Sequence, residues 1–167
     1  MSSIEEIKKH KELKQLCIYS YKKGTKMPEG YQELFTKTGN NGFFAAVVKK
    51  GNDFTIVYRG TDDCKDSIQD IKMWLSNKLP EQHNDAVNLY DDVAEYCKNN
   101  GYELSVTGHS LGGSLAAIVS AKRGAEAVTF NPYGVKNLLN PNIKYITNKV
   151  TNYCCENDDC IKYKLYI

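Results

Sequence analysis

Apolar residues Ile4, Ile7, Leu13, Leu16 and Cys17 recur at mostly helical spacing, and Ser3 stands three residues before Glu6 as a capping box. Residues 4–19 are therefore expected to form an amphipathic helix. The stretch 21–42, rich in Lys, Gly and Thr around Met27-Pro28-Glu29-Gly30, reads as loop with one helical turn near Gln32–Phe35. Two apolar runs, Phe43–Val48 and Phe54–Tyr58, flank Lys50-Gly51-Asn52-Asp53 and predict a β-hairpin. Residues 62–78 are polar and then weakly helical around Ile68, Ile71 and Trp74. Pro80 is expected to open a helix to about Lys98, whose apolar face carries Ala86, Val87, Leu89, Tyr90, Val93, Ala94 and Cys97. Asn99-Asn100-Gly101 predicts a left-handed cap.

Beyond that cap the pattern alternates. Glu103–Thr107 predicts a strand, Gly108–Gly113 a tight turn, and Ser114–Lys122 a helix of small residues ending at Gly124. Ala127–Phe130 and Val150–Tyr153 predict two more strands, the first followed by an Asn131-Pro132-Tyr133-Gly134 turn. Strands alternating with helices after a hairpin imply an α/β domain with a mostly parallel central sheet and a leading antiparallel hairpin.

The length of 167 residues fits one domain, 1–167, and a composition that is 41% hydrophobic and 25% charged is that of a folded, soluble chain. A net charge of +2, with lysine far outnumbering Arg59 and Arg123, argues against a nucleic-acid partner. No apolar run reaches the ~20 residues of a membrane span, and the N-terminus lacks the apolar stretch of a secretory signal. A cytoplasmic location, or export without such a signal, is expected. Cys17, Cys64 and Cys97 are scattered and Cys154, Cys155 and Cys160 cluster, without the paired spacing of a zinc site. Reduced thiols are expected, and no metal or organic cofactor is implied.

Gly108-His109-Ser110-Leu111-Gly112 carries the chemistry. A strand runs into it and a small-residue helix runs out, the context of a nucleophile elbow. A serine on a sharp strand-to-helix turn needs residues without a Cβ two positions before and after it. The helix N-terminus then aims its free N–H groups at the serine oxygen.

Three stretches together resemble the class 3 lipases, the fungal-lipase-like branch of the α/β-hydrolases: Val57-Tyr58-Arg59-Gly60-Thr61, Thr107–Gly113 and Asn157-Asp158-Asp159-Cys160-Ile161. The resemblance covers roughly residues 40–161, and Val128-Thr129-Phe130-Asn131-Pro132 looks like that family's strand and turn after the elbow helix. It implies an α/β-hydrolase-like domain that hydrolyses carboxylic esters of lipids, with lipid or another ester as substrate and transient contact with a membrane surface. It implies Ser110 as nucleophile, the Leu111 N–H and Thr61 as oxyanion-hole donors, and Asp159, with Asp158 as neighbouring competitor, as the acid orienting a base. Residues 62–79 fall where that family carries a lid, with Met73, Trp74 and Leu79 as its apolar underside or Trp74 as a core anchor.

The family order is Ser, Asp, His, and no histidine follows Asp159. His109 is the variable residue of the elbow, His83 starts the helix before the elbow strand, and His10 reads as a surface residue of the first helix. A serine without a base is a poor nucleophile. Three readings stand: a missing C-terminal segment or second chain bearing the histidine, a non-catalytic lipid- or partner-binding module that keeps the fold, or a rearranged site completed by His83.

Overall fold

The computed structural model describes residues 3–22, 24–60, 68–135, 139–146, 149–156 and 159–163, with backbone alone at 68–78, 155–156 and 159–163. In chain order the elements are α1 (Ser3–Tyr21), β1 (Gln32–Thr38), β2 (Phe44–Lys50), β3 (Asp53–Tyr58), α2 (Ile68–Asn100), β4 (Glu103–His109), α3 (Leu111–Arg123), β5 (Glu126–Phe130), β6 (Val150–Glu156) and β7 (Asp159–Tyr163). The strands form one sheet in sequence order, β1 to β7. β3, β4, β5 and β6 pair in parallel, as the alternating pattern implies. The flanks, β1–β2–β3 and β6–β7, are antiparallel.

Side-chain alternation divides the core in two. Ala45, Val47, Phe54, Ile56 and Tyr58 pack on the face covered by α2 and α3, with Leu79, Ala86, Leu89, Leu115 and Ile118. Ala46, Val48, Val57 and Phe130 pack on the other face with Leu13, Leu16 and Cys17 of α1. Strands buried on both faces need apolar residues at every position, which is why β2 and β3 read as continuous apolar runs.

Three expectations need correction. The leading hairpin is a three-stranded meander, because Gln32–Thr38, read as loop with a helical turn, forms β1. This edge strand is solvent-facing along nearly its whole length and bulged between Glu33 and Phe35, so it lacks the alternation that marks a strand. Pairing with β2 holds it. Second, α2 does not open at Pro80 but runs through it. Leu79, Gln82, Ala86, Leu89, Val93 and Cys97 keep one buried face in register across the proline, and that burial outweighs the backbone bond the proline forfeits. Leu79 accordingly belongs to the main core rather than to a lid, while the side chains of Met73 and Trp74 lie outside the described residues. Third, α1 buries Leu13, Leu16, Cys17 and Ser20 and leaves Ile4 and Ile7 exposed.

The expected turn at Gly108–Gly113 narrows to Ser110, since β4 runs to His109 and α3 starts at Leu111 rather than Ser114. Gly101 caps α2 at φ 71°, and Gly124 ends α3 at φ 71° with its N–H on the Ser120 carbonyl. Asp159–Tyr163 pairs antiparallel with the expected last strand, making a β6–β7 hairpin. No helix among the described residues is long and apolar enough to cross a membrane.

Candidate active site

The carboxyl ends of the parallel strands meet at Ser110, between β4 and α3. Its backbone sits at φ 56°, ψ −122°, a conformation that costs a non-glycine residue about 1–3 kcal/mol. The surroundings hold it there. A Cβ on Gly108 would run into the Gly112 carbonyl, and one on Gly112 would run into the Tyr58 carbonyl at the end of β3. Gly113 is tighter than most residues tolerate, with the Gly108 oxygen 3.0 Å and Pro132 Cβ 3.2 Å from a built Cβ. The three glycines let β3, β4 and the first turn of α3 cross at backbone contact.

The turn is tied to the strands around it. The Ser110 N–H donates to the Phe130 carbonyl at 2.9 Å. The Ser114 hydroxyl donates to the Tyr133 carbonyl and accepts from the Tyr133 N–H, both at 2.9 Å, fastening the loop after β5 to α3. Beneath the turn, Thr107 donates to the Val128 carbonyl at 2.7 Å and meets the Cys17 sulfur at 3.7 Å. Asn131, the second non-glycine residue with positive φ (47°), donates its N–H to the Tyr153 carbonyl at 2.7 Å.

Ser110 is buried but its side chain makes no capping bond to α3. The first turn of that 13-residue helix carries no acidic side chain and its last turn carries Lys122 and Arg123. Its N-terminal N–H groups and positive dipole end are thus available to an anion forming beside Ser110.

Of the other expected site residues, Leu111 begins α3 and is buried. Thr61 and Asp158 lie outside the described residues. Gly60, just before Thr61, rests against the turn: a Cβ there would strike the Tyr21 hydroxyl and come within 2.8 Å of the His109 oxygen. Asp159 opens β7 opposite Glu156, beyond the carboxyl end of β6 and so at the same end of the sheet as Ser110; its side chain is not described.

Each histidine has a defined neighbour. His109 Nδ1 lies 3.2 Å from the Tyr21 hydroxyl, with the rings edge to face. Burial and the Lys14 charge push its pKa below the usual 6.5. His10 is half-buried rather than a plain surface residue, with Nδ1 2.6 Å from the Tyr153 hydroxyl. Packing of α1 across the sheet turns it inward. His83 Nδ1 lies 2.7 Å from the Pro80 carbonyl. A carbonyl only accepts, so Nδ1 carries a proton. The adjoining Gln82 donates to the Asn41 carbonyl at 3.0 Å in the loop before β2, which places this stretch of α2 at the Ser110 end of the sheet. No histidine is hydrogen-bonded to Ser110 among the described residues.

The pattern of apolar positions gave no sign of Tyr21, which reaches His109 from 88 residues away. Asn131 was signalled only as a turn. Among the described residues no three His, Cys, Asp or Glu side chains group to hold a metal.

The fold these strands build is that of the α/β-hydrolases seen in fungal lipases. The Rhizomucor miehei lipase in its propeptide complex superposes with a TM-score of 0.59 at 15% identity, over 96% of this chain and 76% of that one. Lipase II from Rhizopus niveus gives 0.59 at 17% identity, over 78% and 64%. Lip2 lipase from Yarrowia lipolytica gives 0.56 at 18% identity, over 92% and 72%. The family is narrower: residues 8–153 match the Tle-like phospholipase domain, and the chain belongs to that family. It is also 34% identical over 100 residues to the extracellular phospholipase A1 of Serratia liquefaciens, a stretch covering 58% of this chain and 29% of that protein. The match thus spans less than a third of the Serratia enzyme's length.

Proposed function

We propose that this chain hydrolyses a carboxylic ester of a lipid, specifically a phospholipid, through an acyl-enzyme on Ser110. The observation that carries the reading is the Ser110 backbone at φ 56°, ψ −122°, held between Gly108 and Gly112, which admit no Cβ without a backbone shift. Such strain concentrates where a side chain must be presented in one orientation. The matches to phospholipase sequences favour a phospholipid over a generic ester.

In this reading the Ser110 oxygen attacks the ester carbonyl and passes its proton to a base. The oxyanion accepts from the Leu111 N–H and from Thr61. Collapse expels the alcohol, here a lysolipid that takes the proton, and water then releases the fatty acid from Ser110. Asp159 stabilises the charged form of the base. We assign that part to His83, whose Nδ1–H is held by the Pro80 carbonyl, leaving Nε2 as the nitrogen to take the Ser110 proton.

A specific observation favours a second reading, a non-catalytic lipid-binding module: the three histidines are engaged by Tyr153, Tyr21 and the Pro80 carbonyl, and none by Ser110. Hydrolysis of a monomeric short-chain phosphatidylcholine, which needs no lipid surface, followed by fatty-acid release, separates the two. Ser110→Ala is expected to cut turnover by about 10⁴-fold or more under the first reading. Absence of turnover in the wild type, with lipid binding unchanged in Ser110→Ala, establishes the second.

A further inference from the structure

Among the described residues no element covers the outer face of α1, and its chemistry selects an occupant. Residues 4, 7, 8, 11, 15, 18 and 22 follow one another at helical spacing on the side away from Leu13, Leu16 and Cys17, and all seven are exposed. They are Ile4, Ile7, Lys8, Lys11, Gln15, Ile18 and Lys22. The isoleucines are 77%, 52% and 48% exposed, and no carboxylate falls on the stripe. Gln15 donates to the Lys26 carbonyl at 3.1 Å, bringing exposed Lys26 alongside. Residues 1–26 hold seven lysines against three glutamates, a net +4 in a chain whose formal charge is +2.

We infer that this face docks the protein on an anionic lipid surface, with Ile4, Ile7 and Ile18 entering the headgroup boundary and the lysines facing lipid charge. Lysine alone would suit any polyanion. Three branched apolar side chains interleaved with lysine suit only a surface that offers charge above and hydrocarbon below. α1 ends at Tyr21, whose hydroxyl meets His109 beside Ser110, so the docked helix adjoins the candidate site. The inference does not rest on turnover: the Ser110→Ala protein binds equally.

Co-sedimentation with vesicles tests it, comparing pure phosphatidylcholine with phosphatidylcholine containing about 30% phosphatidylglycerol. The wild type is expected to bind the anionic vesicles, to leave the neutral ones, and to weaken between about 0.1 M and about 0.5 M salt. The Lys8→Gln/Lys11→Gln/Lys22→Gln protein should partition roughly 100-fold less, at about five-fold per lysine. The Ile4→Ser/Ile7→Ser/Ile18→Ser protein should lose at least about ten-fold. Circular dichroism checks that both variants stay folded, and the wild-type salt dependence needs no variant. Equal binding to neutral vesicles, no binding to either, or a loss on lysine replacement alone, which marks a generic polyanion site, overturns the inference.

Discussion

Gly112 lies so close beneath the carbonyl of Tyr58 that a methyl group in place of its hydrogen would overlap the oxygen. That contact fixes how far the start of α3 can rise toward β3, and with it the angle at which Ser110 is presented. Gly112→Ala should destabilise the fold by roughly the upper end of the 1–3 kcal/mol typical of forced overpacking. The urea midpoint reads this directly. A midpoint within experimental scatter of the wild type would mean that the crossing is looser than described.

The contact between Tyr21 and His109 carries a pH signature. Burial and the Lys14 charge lower the folded pKa of His109 below its unfolded value of 6.5, so the unfolded chain takes up the proton first as pH falls. This site's contribution to stability is present above about pH 6.5 and declines from there down toward the lowered folded pKa. Urea midpoints across this range should fall more steeply for the wild type than for His109→Gln. Parallel profiles would remove His109 as the source.

Thiol reactivity should follow burial. Cys17 is fully enclosed, and burial pushes its pKa up to about 12 against the opposing Thr107 hydrogen bond. Burial raises the Cys97 thiol as well, whereas Cys154 is exposed. Alkylation followed by peptide mass analysis should find Cys154 modified in the native protein, and Cys17 and Cys97 only in urea. Modification of Cys17 without denaturant would contradict the packing of α1 on β4.

What the sequence disclosed depended on how local the cause was. The Gly108–Gly113 turn was legible because the contact of Gly108 with Gly112 is local, whereas that of Gly112 with Tyr58 had no mark in the pattern. β2 and β3 were legible because burial on both faces demands unbroken apolar runs, and β4 and β5 because they alternate with a helix on either side of the turn. β1 was not, since an exposed, bulged edge strand is specified by the neighbour it pairs with. Pro80 misled because a proline is read as a helix start, whereas here the buried face from Leu79 to Cys97 holds the helix through it. The inward turn of His10 and the reach of Tyr21 to His109 arise from the angle of α1 across the sheet, which no local pattern encodes.

The most direct test of the account is intact-mass analysis after treatment with a fluorophosphonate, which bonds only to an activated serine. The expected result is one label per chain on the wild type, none on Ser110→Ala, and much slower labelling on His83→Ala. A wild-type chain that stays unlabelled, or a Ser110→Ala chain that still takes the label, would contradict Ser110 as an activated nucleophile.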